Sequence, residues 1–289
     1  MKKNLLFVFI LIHGAVFAQE QKIFKIKKYQ TAVLPDSVNE TSGLTLFGGR
    51  LFTINDSGNL PDIFEIDKTS GKILNVFQTN TKNKDWEAIT NDGTCFYVGD
   101  FGNNRGTRND LEIYKIPFGV KDSAQIISYY YPEQKEFISK NINTDFDAEA
   151  MIYRNGKLHI FTKEWASKAV SHYIVNPEIT EKQPALKTES FKTGFVVTDT
   201  AYFDGKLYVV GYTKGAEVFM MIFEESDPDV FFEKNPVKYC IGSSFKIGQI
   251  EGIAVDEEGI YISGEAFRSP LGEVRQSLYF IPHKKLIKR

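Results

Sequence analysis

A chain of 289 residues with 35 basic and 37 acidic side chains carries a formal charge of −2, and its basic residues form no block beyond the short Lys284-Lys285 and Lys288-Arg289 tail. Nucleic acid is not a natural partner for so evenly charged a surface. No apolar segment after the N-terminus approaches the roughly 20 residues that a spanning helix needs, so no membrane span is expected, and the expected species is a monomer.

The chain opens with Lys2 and Lys3, an apolar run from Leu5 to Ile12, and a Val16-Phe17-Ala18 end. This is the pattern of a secretory signal peptide over residues 1–18. Residues 19–289 are then expected as one exported domain, periplasmic or extracellular. No cysteine follows the cleavage point, so a lipid anchor is not expected there. The next segment, Lys22 to Tyr29, alternates in the manner of a strand but belongs to no repeat of its own.

Five repeats follow. They begin Glu40-Thr41-Ser42-Gly43, Glu87-Ala88-Ile89-Thr90, Glu149-Ala150-Met151-Ile152, Asp199-Thr200-Ala201-Tyr202 and Glu251-Gly252-Ile253-Ala254. With Thr200 as the counterpart of the glutamates, successive copies lie 47, 62, 51 and 51 residues apart. That spacing fits one four-stranded propeller blade per copy. Each copy continues through a turn into a β-branched or aromatic second strand, such as Leu51-Phe52-Thr53-Ile54 or Leu207-Tyr208-Val209-Val210, and then into a third strand. Outer strands are expected at Ile73 to Phe77, Ile126 to Tyr131, Leu186 to Phe191 and Val237 to Ile241. The last copy runs out of chain after its third strand, so the N-terminal strand is expected to complete it and remove an exposed sheet edge. The expected fold is an all-β, five-bladed β-propeller, with a sixth blade in Pro117 to Asn143 as the alternative. Cys95 and Cys240 fall on strands of the second and fourth blades, too far apart for the Cα separation of about 7 Å that a disulfide tolerates. They are expected as buried free thiols.

In a propeller the start of the innermost strand and the end of the second strand share one face. Counting along each copy places Asp56, Asp100, Lys163, Tyr212 and Glu265 at second-strand ends. Together with Glu40, Glu87, Glu149, Asp199 and Glu251 they should ring one mouth of the axial channel. Crowded carboxylates in a partly dry pore either raise their pKa values or bind a cation. A hard cation suits them, Ca²⁺ accepting flexible oxygen coordination that Mg²⁺ does not. The alternative is structural, each acid bonding backbone amides of the neighbouring blade.

The Gly/Asn-rich loop Gly99 to Asp110 follows the second strand of the second blade and should reach the same mouth. Asn103 and Asn104 can bond in both senses, and Arg105 and Arg108 can fork onto carboxylate or phosphate. Lys163, Arg268 and Arg275 could add positive charge at the rim, or these side chains could simply be solvated. Trp86 is expected between blades, and Trp165 at the mouth or in ordinary packing. His159, His172 and His283 lack the context of a zinc site or a triad, and no Gly-x-Ser-x-Gly elbow is present.

The first copy, from Glu40-Thr41-Ser42-Gly43-Leu44 to Asn55-Asp56, resembles an opening blade of the calcium-dependent nucleotidases of the apyrase type, and the second, with Glu87 and Tyr97-Val98-Gly99, is similar in outline. That resemblance implies a central calcium ion and hydrolysis of nucleoside di- or triphosphates. Lys163 and Tyr212 depart from an all-acidic ring. The Asp-x-Glu-Ala and Glu-Gly-Ile patterns also look like those of exported phytase-like and gluconolactonase-like propellers. The leading expectation is a metal at the axial mouth acting on a small anionic ester such as a phosphate, with Glu87 or Glu149 taking the proton and Arg105 or Arg108 holding the anion. A non-catalytic binding or scaffold propeller and a lactonase-like hydrolase are the alternatives.

Overall fold

A strand that is apolar on both faces, joined to the next by a tight polar turn, can bury neither face alone, so it pairs into a meander whose two faces need neighbours. The computed structural model describes residues 21–120, 123–270 and 272–286, and the expected signal peptide lies outside these. Two short strands come first, β1 (Gln21–Ile23) and β2 (Gln30–Val33). The first blade is β3 (Thr41–Phe47), β4 (Arg50–Asn55), β5 (Asp62–Ile66) and β6 (Ile73–Gln78). The second is β7 (Trp86–Asn91), β8 (Cys95–Asp100), β9 (Leu111–Pro117) and β10 (Gln125–Tyr130). The third comprises β11 (Ala148–Arg154), β12 (Lys157–Thr162), β13 (Val170–Val175) and an outer strand; before reaching that strand the chain pairs β14 (Gln183–Pro184) in parallel with β10, then enters β15 (Leu186–Phe191). The fourth is β16 (Val196–Phe203), β17 (Lys206–Tyr212), β18 (Glu217–Glu224) and β19 (Val237–Ser243). The fifth has β20 (Gln249–Val255) and β21 (Gly259–Glu265), a small hairpin of β22 (Phe267–Ser269) and β23 (Gly272–Val274), and then β24 (Ser277–Pro282).

The blade count is five. Within Pro117 to Asn143, the alternative site of a sixth blade, the strand is β10, the outer strand of the second blade. The N-terminal segment closes the ring, but Lys22 to Tyr29 is not one strand. β1 adds in parallel to β19 of the fourth blade, Lys27–Tyr29 forms a 3₁₀ turn, and β2 completes the fifth blade by pairing antiparallel with β24. The reason lies in Phe24 and Ile26, which bury among residues of the fourth and fifth blades, Phe24 stacking on Tyr29 with ring centroids 5.5 Å apart. Burying both apolar side chains bends the segment across the gap between the blades.

Every core cluster lies between blades. Phe52, Ile54 and Ile63 of the first blade pack with Trp86, Ile89 and Phe96 of the second, and Trp86 is fully buried with its indole N–H donated to the Lys82 carbonyl at 2.9 Å. Large side chains here fill the wedge between twisted sheets, which gives each blade its apolar faces and fixes its angle to the next. Cys95 and Cys240 are free; Cys240 is buried as expected, whereas Cys95 is only half-buried because it opens β8 at a turn.

Candidate metal site at the axial mouth

One irregularity recurs in all five blades. The ladder between innermost and second strand passes over a single residue, which is Gly43, Glu87, Glu149, Thr198 and Glu251 in chain order. Such a bulge turns a side chain out of the alternating pattern. Three of the five bulges carry glutamate. Glu40 lies three residues before its blade's bulge, exposed, and accepts a hydrogen bond from Asn59 Nδ2 at 2.6 Å. Asp199 lies one residue past its bulge, and its oxygens accept backbone N–H groups of Leu44 (3.2 Å), Ile253 (2.7 Å) and Thr200 (2.7 Å). It ties the fourth blade to the first and fifth, the backbone role that the sequence left open for any of these acids.

The densest group comes from the first two blades. Asp56 directly follows β4, Asp85 directly precedes β7 and Glu87 sits at the bulge; one oxygen of each lies within 4.8 Å of the others, an arrangement that can hold a metal ion. Gly102 makes this approach possible. A Cβ there would stand 2.4 Å from Glu87 Oε1 and 2.5 Å from Asp85 Oδ2, so any side chain would displace the carboxylates. Glu87 is 4% exposed, yet its carboxylate accepts no hydrogen bond from any described residue. Asp147 is fully buried; Oδ1 accepts the Asn103 N–H at 2.5 Å, while Oδ2 has no partner. A buried acceptor without a donor is costly, and Asp147 Oδ2 is one.

The other half of the mouth is built differently. Lys163, Tyr212 and Glu265 occupy matching places, each one residue past the partner of the position preceding the bulge. Lys163 Nζ lies 2.8 Å from Glu149 Oε1, and its ammonium is over the rings of Trp165 (5.5 Å) and Tyr212 (5.6 Å). Gln249 Nε2 donates to both Glu251 Oε1 (2.7 Å) and the Tyr212 hydroxyl (2.8 Å).

The electrostatics follow from burial. Loss of hydration, reinforced by neighbouring carboxylates, raises Asp85 to about 6 and Asp147 to about 7, and holds Glu87, Glu149 and Glu265 well above the usual carboxylate range. Asp56 and Glu251 are raised as well, burial again leading. Burial opposes the charge of Lys163, but Glu149, Tyr212, Glu251 and Glu87 outweigh it and keep its ammonium protonated far above the ordinary lysine value. One ammonium thus acts on six of these seven carboxylates, and Arg108 on the seventh, Asp85, in a poorly hydrated space.

The remaining expected residues lie around this core. Asp100 pairs with Arg108 at 2.9 Å and accepts the Lys84 N–H at 3.1 Å. Arg108 also donates to the carbonyls of Gly102 and Asp100 and to Asp110 Oδ1. Asn103 Oδ1 caps the Arg108 N–H and its Nδ2 donates to the Phe146 carbonyl, while Asn104 Oδ1 accepts the Trp165 indole N–H at 3.2 Å. Arg105 is exposed with no carboxylate partner among the described residues. Arg268 pairs with Glu273 on the β22–β23 hairpin, and Arg275 with Asp36. Sequence reasoning missed Asp85 and Asp147 as site residues. Both stand two residues before a bulged glutamate, in Asp85-Trp86-Glu87 and Asp147-Ala148-Glu149, so the repeated Asp-x-Glu was their signal.

No protein-family model matches the chain, and no curated protein matches it in sequence. Among solved structures the chain is similar to an oxidoreductase described as a glucose dehydrogenase from Thermus thermophilus, at 13% identity and a TM-score of 0.46 over 91% of this chain and 86% of that one. It is also similar to a chain of a mitotic checkpoint complex (10% identity, TM-score 0.38, covering 82% of this chain) and to a prolyl endopeptidase (9%, 0.36, 77%), spanning 63% and 32% of their respective lengths. These likenesses are of fold alone, and they leave the chemistry to the chain's own acidic mouth.

Proposed function

We propose that the axial mouth binds a divalent cation, Ca²⁺ by its chemistry, and that the loaded protein hydrolyses a phosphate or other anionic ester. One observation carries this reading: Asp56, Asp85 and Glu87 converge within 4.8 Å, beside the buried and unpartnered Oδ2 of Asp147. Asp56, Asp85 and Glu87 would hold the ion, with Asp147 Oδ2 as a further unbonded oxygen. The donors are all hard oxygens delivered by separate segments, which suits the flexible coordination of Ca²⁺ better than the strict octahedron of Mg²⁺.

A bound divalent cation supplies Lewis-acid polarisation of an ester oxygen and makes a coordinated water more acidic. The protein's own part is to keep the space dry, to place the anion and to hold a proton. Glu149, raised by burial, takes the proton of the attacking water and returns it to the leaving oxygen, while Lys163 fixes its orientation at 2.8 Å. Arg105, exposed and without a carboxylate partner among the described residues, meets the anionic group.

Metal analysis of the purified protein, paired with melting in the presence and absence of chelator, tests the first half. About one bound divalent ion and a lower melting temperature in chelator are expected; no ion and an unchanged melt would end the metal reading. A panel of phosphate esters, nucleotides and lactones then tests the second half. Turnover of a phosphate ester that Glu149→Gln removes while the ion stays bound is expected. Turnover of lactones alone, or of nothing, would assign the mouth to another chemistry or to binding.

A further inference from the structure

The charge pattern of the mouth is lopsided, and Lys163 marks the division. On the side of the first two blades, three carboxylates meet with no cation in direct contact among the described residues, Arg108 acting on Asp85 from its pairing with Asp100. On the side of the third and fifth blades, Glu149 and Glu251 share the neighbourhood of one ammonium, which is 5% exposed. That ammonium is the favourable charge acting on Asp56, Glu87, Asp147, Glu149, Glu251 and Glu265 alike. An ordinary buried ion pair is closed, each charge neutralising the other. Here a single cation touches Glu149 at 2.8 Å while its field reaches five further acids.

Resting on the metal reading above, we infer that Lys163 is a tethered second cation: its ammonium fills the position of a second divalent ion beside Glu149 and Glu251 and confines the exchangeable metal to Asp56, Asp85 and Glu87. The fold supports the substitution of a charged side chain for an ion. At matching places the fifth blade carries Glu265 and the fourth carries Tyr212, both oxygen donors, so Lys163 replaces what would be one more ligand with the occupant itself. The Trp165 and Tyr212 rings attract the ammonium from their faces, holding it where hydration is poor. Glu149, Glu251 and Tyr212 bring their oxygens to that neighbourhood, Gln249 Nε2 joining the last two. Asp147, fully buried with an unpartnered Oδ2, lies close enough to feel both Lys163 and the first-blade acids, so the two halves are one continuous field rather than separate sites. A fixed monovalent cation in this field sets the metal stoichiometry at one. It also leaves two positive centres of different strength for an anion to bridge.

The test is a count of bound Ca²⁺ by equilibrium dialysis and elemental analysis on three proteins. Wild type is expected to hold one ion, Lys163→Met two, and Lys163→Met combined with Glu149→Gln one. A single ion in Lys163→Met, with one in wild type, would overturn the second-cation role and leave the metal reading intact. No ion in wild type and one in Lys163→Met would end the metal reading while supporting Lys163 as the charge that stands in for an ion; no ion in either would end both. Because Lys163→Met strands Glu149 without its counter-ion, folding is followed by near-UV circular dichroism with and without excess Ca²⁺. A variant that folds only with Ca²⁺ supports the inference, since the ion then replaces the ammonium. One that folds in neither condition overturns it.

Discussion

Two regions of this propeller take charge out of water to different depths and arrive at opposite electrostatic outcomes: the carboxylates of the outer one are half-buried, those of the axial mouth almost wholly buried. Between the third and fourth blades, away from the axis, His159 Nδ1 and His172 Nε2 lie 2.8 Å apart, and His172 Nδ1 meets Glu189 Oε1 at 3.0 Å. Glu189 also accepts the N–H groups of Phe231 (3.0 Å) and Phe232 (2.8 Å). Nearby, Arg154 bonds Glu225 at 2.5 Å and Asp229 at 3.3 Å, and the Tyr202 hydroxyl donates to Glu225 at 2.6 Å. Burial raises Glu189 and Glu225, but these donors outweigh it and both end below the usual carboxylate range. At the axial mouth burial is deeper and the carboxylates end above it, even Asp199 with its three backbone N–H donors. The difference teaches what depth does: donors suffice for half-buried acids in the outer network, whereas the fully buried mouth keeps its acids raised and leaves Asp147 Oδ2 without a partner.

The contrast breaks most visibly on removing a cation from the outer network. Arg154→Met should destabilise the protein by about 3 kcal/mol, because the half-buried Glu225 and Asp229 lose their charged partner, and the loss should be the same with Ca²⁺ or chelator in a denaturant titration. A metal-dependent loss would join the two regions that the geometry separates. Next comes the ion itself. Free Ca²⁺ at a hundred times its dissociation constant should stabilise wild type by about 2.7 kcal/mol, read as a shift in the chelator-sensitive melt. Smaller still is Glu87→Met. In chelator it should melt above wild type, near the low end of the roughly 1–4 kcal/mol that apolar replacement of buried charge can gain, and Ca²⁺ should no longer raise its melting temperature.

The two regions also differ in how much of them could be read from the chain. Blade number and strand order follow from repeated apolar strands and polar turns, and the bulged Glu87, Glu149 and Glu251 stood out because one residue type recurs at one place in the repeat. The same counting misaligned Glu40 and Asp199, since the blades with Gly43 and Thr198 at the bulge keep an acid nearby but aim it elsewhere. Strand counting sees position and not partnership. It could place Asp100 and Arg108 near the mouth but could not show that they pair with each other at 2.9 Å. The outer network was illegible for the same reason: Glu189 and Phe231 are 42 residues apart, and only the packed interface between blades brings them together.

A change of pH opposes the regions most directly, because it acts on them with opposite signs. Asp85 and Asp147, at about 6 and about 7 in the folded protein, bind protons more tightly than in the unfolded chain, where aspartate titrates near about 3.9. Between these values the folded state holds more protons, so this contribution is present at low pH and is lost as pH rises toward 7. His159 runs the other way. Burial and the neighbouring His172 lower it to about 4, against about 6.5 when unfolded, so its contribution is present above 6.5 and is lost as pH falls through 4. In metal-free wild type the two slopes oppose each other between pH 4 and 6.5. Asp147→Asn should remove part of the falling slope, and His159→Gln part of the rising one, in melts recorded across that range. Ca²⁺ should then act on the mouth alone, since ligand carboxylates must shed their protons to bind it, so the stabilisation it gives should grow from pH 4 to 7. A Ca²⁺ effect that shrank over this range, or that vanished in His159→Gln but survived in Asp147→Asn, would place the ion outside the mouth.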